Sequence, residues 1–316
     1  GIEFMLPIAR WIGYGGETDF HGDVLETVTW AAGLAAHSRN IQVFATVHTA
    51  FNHPVVVAKQ LATLDQLSQG RIGLNVVAGW NKPEYDAFGM DLPGDHSDRY
   101  AMAQEWFDYV QKLWREDTAF DWEGTFYNGK GIYSLPHPVQ SRIPIINAAA
   151  SQEGREFAMK NADFLFTPVF DFDQARDTVA DISSRAASVN RTVNVLTFCT
   201  VVCRPTQQEA EDYLHWYASE NADWDAVDNL MTLQGLHAQS FTKEALGMFR
   251  DRFAAGHGGF PLVGTPDQIA DLLEQLSDTG ISGTTLAFVD YAKEFPYFRQ
   301  EVLPRLEAKG LRQTIQ

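Results

Sequence analysis

The chain has 316 residues, of which 45% are hydrophobic and 21% charged, enough apolar material for a large core and close to ordinary globular usage. A formal net charge of -17 repels phosphate backbones and anionic lipid surfaces, which disfavours nucleic-acid and membrane partners and requires any bound phosphate to be held by local donors. No apolar run approaches the ~18 residues of a membrane span, and no basic stretch leads into an apolar one as in a secretory signal, so a cytoplasmic protein is expected.

Along the chain, residues 4–8 read as a strand, and Leu25, Val28, Ala32, Ala35 and Ala36 then fall on one helical face. Residues 41–48 form the next strand, 55–67 the next helix and 71–77 a third strand. A polar loop follows, and then a helix over 99–114. Residues 120–133 carry aromatics and the pair Asn128-Gly129, which predicts a short hairpin turning at that pair. A strand over 143–148 leads into a helix opened by Ser151. Strands at 163–167 and 193–202 are each followed by a helical pattern, the second opened by a capping box from Thr206 to Glu209. Cys199 and Cys203 are the only cysteines and share one face of that strand. Adjacent same-face positions are already roughly 6.6 Å apart, a poor span for a disulfide, so two buried thiols are expected. Residues 224–259 are polar, glycine-rich near their end and without a clean period. They read as an insertion able to act as a lid. Thr265, Pro266 and Gln268 mark a strong helix start, and the last strand runs over 284–289.

Strands alternating with helices imply parallel pairing with right-handed crossovers. Seven such strands, starting near Phe4, Ile41, Ile72, Ile143, Asp163, Val193 and Thr284, make a single α/β domain one strand short of an eight-stranded barrel. In a barrel the chemistry sits where strands end. Arg10 and Trp11 follow the first strand, Thr46 and His48 close the second on one face, Asn75 interrupts the third, and Trp80, Glu84 and Tyr85 stand in the loop after it. Asn is depleted in strands, and a buried amide without partners costs roughly 1–3 kcal/mol. Asn75 therefore meets a backbone carbonyl, a buried water or a bound polar ring. Ser151 is either an ordinary cap or the mouth of a phosphate site among free N–H groups. His48 is a proton donor, a substrate contact or a structural residue. Arg99, followed by Tyr100, sits in a helix's first turn against the dipole. It pairs with Asp95 or Asp98, or marks a local anion. Trp11, Trp80 and Tyr85 can wall a planar cofactor, while Trp106 and Trp114, at helical spacing, belong to the core. The nine histidines include no spaced metal-binding pair, so no metal is expected.

The blocks 6–20 and 70–85, the latter running Gly70-Arg71-Ile72-Gly73-Leu74-Asn75 to Trp80-Asn81-Lys82-Pro83-Glu84-Tyr85, resemble the luciferase-like flavin-dependent monooxygenases, especially the pyrimidine (uracil ring-opening) and dimethylsulfone types. The resemblance continues through 261–266 to Asp290-Tyr291 and covers nearly the whole chain. It implies a (β/α)8 TIM barrel of the bacterial luciferase-like type, here without its first strand and helix. It further implies a two-component enzyme that takes reduced FMN from an NAD(P)H-dependent flavin reductase and uses O2 to oxygenate a small organic substrate, working as a homo-oligomer. By resemblance, Ala9, Arg10, Asn75, Glu84, Arg99, Tyr100 and Ser151 bind the cofactor, with the phosphate on Arg99, Tyr100 and Ser151. Thr46 and Asn75 stand at its oxygen-reactive edge. Trp11, Trp80 and His48 face the substrate. Ala149 departs from the glycine often found before the serine. Two other readings stay open: a deazaflavin-dependent hydride-transfer enzyme and a non-catalytic flavin-binding protein.

Overall fold

The computed structural model describes residues 1–236 and 243–313, the side chains of 243–245 excepted. The chain divides into two compact units, one of residues 2–12 and 23–165, the other of Gly1, 13–22 and 166–316.

The first unit carries every residue singled out above for chemistry. Its parallel sheet is ordered β1 (Phe4–Met5), β2 (Gln42–His48), β3 (Ile72–Val77), β6 (Ile145–Ala148) and β7 (Phe164–Phe166), whose last residue begins the other unit. Helices α1 (Thr27–His37), α2 (Pro54–Ser68), α3 (Lys82–Ala87), α4 (His96–Leu113) and α5 (Gln152–Asn161) connect these strands. In β2 and β3 almost every residue is buried, the mark of parallel strands covered on both faces. Register places Thr46 beside Asn75, and Asn75 beside Ile146. The segment before α4 is not all loop: Pro83 at the start of α3 pre-sets a helical turn, and this puts Glu84 and Tyr85 on a buried helix face. Trp106 is fully buried, and the indole N–H groups of Trp106 and Trp114 donate to the carbonyls of Asn52 and Ala58.

The hairpin is present as β4 (Phe120–Glu123) and β5 (Asn128–Ile132), but it does not turn at Asn128-Gly129. The turn lies four residues earlier because the Glu105 carboxylate, on α4, collects the N–H groups of Thr125, Phe126 and Tyr127. A charged acceptor for three backbone donors outweighs the local preference of an Asn-Gly pair.

In the second unit, β8 (Asn194–Cys203) pairs in parallel with β10 (Gly283–Ala287) along its first half and with β9 (Phe260–Gly264) along its second. Strand β9 was not expected from the sequence, where residues 260–264 are assigned to no element. Around the strands lie α6 (Phe172–Ser188), α7 (Gln207–His215), a π-helical turn (Trp216–Glu220), α8 (Trp224–Leu233), α9 (Lys243–Gly256), α10 (Pro266–Asp278), α11 (Tyr291–Glu301) and α12 (Leu303–Ala308). The expected capping box is formed at Thr206 with Glu209, and the expected helix start at Thr265 is a capping box as well, with Gln268. The segment read as an irregular insertion is largely two helices, α8 and α9, tied by the Arg250–Asp228 ion pair; residues 237–242 of it lie outside the described residues. Cys199 and Cys203 are free and buried, and burial pushes their thiols up to about 12 and about 11, so neither is a nucleophile at neutral pH. Among the described residues no helix is long and apolar enough to cross a membrane, and no group of three or more His, Cys, Asp or Glu is placed to hold a metal.

Candidate active site

Glu84 is the hub of the first unit's polar cluster. Its carboxylate is buried, accepts the backbone N–H of Trp11 at 2.9 Å, and lies 3.4 Å from the Arg10 guanidinium. The Arg10 guanidinium also stands over the Trp80 ring, 4.8 Å from its centroid. His48 is 3% exposed, with Nδ1 3.6 Å from Glu84. Burial first, and then the positive charge of Arg10, hold its imidazole down to about 3. His48 is therefore neutral at physiological pH. An imidazolium acid is not available here; the ring can offer only a neutral N–H or a lone pair. Its neighbours continue as an aromatic ladder, with His48 edge-on to Phe51, Phe51 stacked on Phe88 at 4.4 Å, and Phe88 edge-on to the half-exposed Trp11. Ala9, Arg10, Trp11, Thr46 and His48 line one small pocket.

The second feature joins three neighbouring segments. The Thr46 hydroxyl donates to the Pro7 carbonyl at 2.6 Å and accepts the Asn75 amide N–H at 3.1 Å. The Asn75 carbonyl oxygen has no hydrogen-bond partner among the described residues, although the residue is 5% exposed. The amide N–H thus takes a hydroxyl, which was not among the partners considered from sequence, and no group among the described residues meets its oxygen. The Thr46 hydroxyl has spent its one proton and can offer a ligand only its second lone pair. Asn147, on β6, anchors its amide to the Val76 carbonyl and was not singled out from sequence, though it carries the same signal as Asn75, a polar residue in an apolar strand.

The third feature is the start of α5. Ser151 caps it, accepting from Gly154 N at 3.2 Å. The Tyr100 phenol lies against this turn: a Cβ at Gly154 would stand 2.5 Å from the Tyr100 hydroxyl and 2.5 Å from the Ala149 methyl. Burial pushes Tyr100 up to about 12, against the hydrogen bond with Asn147, so it is a donor at neutral pH. Tyr100 and Ser151 are thus brought together. The Arg99 guanidinium donates to the Gly79 carbonyl at 3.0 Å and weakly to that of Asp95, which clamps the turn after β3, and its charge acts on Tyr100. Neither acidic partner considered from sequence takes it through a carboxylate. These bonds use two of the five guanidinium N–H groups, which leaves Arg99 donors for a phosphate.

The donor set fits an FMN. A helix N-terminus with a phenol and a serine hydroxyl suits its phosphate, and a buried, unpartnered amide oxygen suits an N–H of its ring. The whole-chain comparisons agree. Residues 1–283 match the luciferase-like monooxygenase family. The pyrimidine monooxygenase RutA of Acinetobacter baylyi is 29% identical over 98% of this chain and 85% of its own. The FMNH2-dependent dimethylsulfone monooxygenase of Pseudomonas fluorescens is 31% identical over the same shares. Among solved structures, EDTA monooxygenase (EmoA) from Chelativorans sp. BNC1 superposes with a TM-score of 0.83 at 20% identity, covering 98% of this chain and 84% of its own. That likeness bears out the expected luciferase-like α/β barrel class. The chain belongs to the luciferase-like monooxygenase family.

Proposed function

We propose that this protein is the oxygenase component of a two-component system: it takes reduced FMN from a separate NAD(P)H-dependent flavin reductase and, with O2, oxygenates a small organic substrate. The observation that carries this reading is the buried Asn75 carbonyl oxygen, held beside Thr46 without a partner among the described residues. Bound reduced FMN supplies the two electrons that activate O2, one oxygen atom going to the substrate and the other to water. Tyr100 and Ser151 hold the phosphate, with the α5 dipole behind them. Asn75 accepts from the ring edge, and Thr46 positions Asn75. Glu84 holds Arg10 and the Trp11 backbone, so that Ala9, Arg10, Trp11 and Trp80 form a fixed wall on the cofactor and substrate side. His48, being neutral, shapes that wall and excludes water rather than delivering a proton from an imidazolium. A cytoplasmic location and a homo-oligomeric state belong to the same reading, supported by the free thiols and by the family.

The test is anaerobic loading with photoreduced FMN followed by stopped-flow mixing with oxygenated buffer, first alone and then with uracil, dimethylsulfone or related small molecules. The expected result is flavin oxidation at a rate set by the protein, coupled to an oxygenated product with at least one substrate. Reoxidation at the free-solution rate by folded protein, with no binding of reduced FMN, would refute the assignment. Hydride transfer to a deazaflavin from an alcohol, with no FMN-dependent oxygenation, would move the chain to the deazaflavin branch.

A further inference from the structure

The hydrogen-bond pattern around Thr46 determines which way the Asn75 amide points. The Pro7 carbonyl can only accept. Its oxygen lies 2.6 Å from the Thr46 hydroxyl oxygen, and two oxygens so close need a proton between them. The single Thr46 proton is therefore spent on Pro7. Toward Asn75, Thr46 can only accept, so the atom facing it at 3.1 Å is the amide nitrogen. The carbonyl oxygen is then turned the other way. It is buried, and no group among the described residues donates to it. The residue is not free to reverse, because a flip would set two acceptors against each other across 3.1 Å. Thr46 and Asn75 are 6% and 5% exposed, so bulk water does not soften this constraint.

We propose that the Pro7–Thr46–Asn75 relay is a redox-state filter. Thr46 is a positioning residue that locks Asn75 as a hydrogen-bond acceptor, and the site thereby selects the flavin form that carries a proton at N5. This rests on the assignment of the site to reduced FMN. N5 of the oxidised ring is a bare lone pair, whereas N5 of the reduced ring is an N–H. An acceptor locked in place pairs with the second and opposes the first. Release of the spent, oxidised cofactor to the reductase follows from the same preference.

The experiment measures Kd for oxidised FMN by fluorescence quenching and for reduced FMN anaerobically, in the wild type, Thr46→Ser, Thr46→Val and Asn75→Leu. The midpoint potential of the bound flavin is read in parallel. The wild type and Thr46→Ser are expected to bind reduced FMN at least about tenfold more tightly, the scale of one mispaired buried hydrogen bond. Thr46→Val frees the amide to turn its N–H₂ to the oxidised ring. Oxidised FMN then binds more tightly while reduced FMN is little changed, so the ratio falls about tenfold and the two-electron potential falls by about 30 mV. This sign matters, since simple damage to the site weakens both forms. Asn75→Leu brings the ratio close to unity and gives the reading should Thr46→Val fail to fold. A wild type that binds both forms equally, or a ratio unmoved in Thr46→Val and Asn75→Leu, overturns the filter but leaves the FMN assignment standing. Folded wild type that binds neither form overturns the assignment itself.

Discussion

Glu84 offers the sharpest test of how this site is built. Its side chain and that of Arg10 are 2% and 6% exposed, so replacing Glu84 by Leu strands a guanidinium in a poorly hydrated place. Removing one partner of a buried pair costs about 3–5 kcal/mol, because the remaining charge has lost its counter-charge but not its burial. The Trp11 N–H, which Glu84 accepts at 2.9 Å, loses its partner as well, adding about 1 kcal/mol. Glu84→Leu is therefore expected to lose about 5 kcal/mol. At about 2 °C per kcal/mol for a chain of this size, the Tm falls by roughly 10 °C. The double variant Arg10→Met/Glu84→Leu removes both charges and is expected to recover more than half of that loss, since an apolar replacement of a buried pair is often neutral. Urea denaturation followed by circular dichroism of the wild type, both single variants and the double closes the cycle. Glu84→Leu within about 1 kcal/mol of wild type, or a double variant whose loss is the sum of the singles, would refute the argument that a buried charge pair organises this wall.

Three further outcomes follow from the geometry. His48 is held at about 3 in the folded protein against an ordinary 6.5, so the unfolded chain binds more protons between those values. Its contribution to stability is present above about pH 6.5 and is lost as pH falls toward 3, at up to about 1.4 kcal/mol per pH unit. His48→Gln should flatten the stability profile over pH 4–6, and an unchanged slope there would refute the assignment of that proton to His48. Tyr100→Phe removes a phenol that is a donor at neutral pH and is expected to weaken FMN binding by about tenfold or more. Riboflavin, which lacks the phosphate, should bind unchanged, and equal losses for both ligands would place Tyr100 elsewhere. Arg71, at the base of β3, donates to the carbonyls of Ala35, Ser38, Ile41 and Ser68 and to the Ser38 hydroxyl. Arg71→Lys cannot reproduce that fork and should lower stability by about 2–4 kcal/mol in chemical denaturation while leaving the affinity for reduced FMN intact; a loss of affinity at preserved stability would contradict a purely structural role.

Much of this was legible in one dimension. The parallel α/β class follows from apolar strands alternating with amphipathic helices. The helix starts at Ser151, Thr206 and Thr265 follow from side chains that accept from N–H groups two or three residues on. These are local interactions, so a local reading finds them. Asn75 was conspicuous because a polar side chain in a buried strand must find a partner, whichever one it is. Other features were written in contacts between residues far apart in sequence. The hairpin turn was displaced by Glu105, some twenty residues upstream. Strand β9 exists because β8 is long enough to take a second partner along its far half. Arg99 anchors the turn after β3 through the Gly79 carbonyl, and His48 was stripped of its acid role by burial and by Arg10. The direction of the Asn75 amide depends on Pro7 and Thr46, which lie 68 and 29 residues upstream of it. Sequence periodicity and capping chemistry determined the elements and nominated the polar residues. The tertiary structure decided what each polar residue can do, because donor and acceptor capacity, once spent on a neighbour, is no longer available to a ligand.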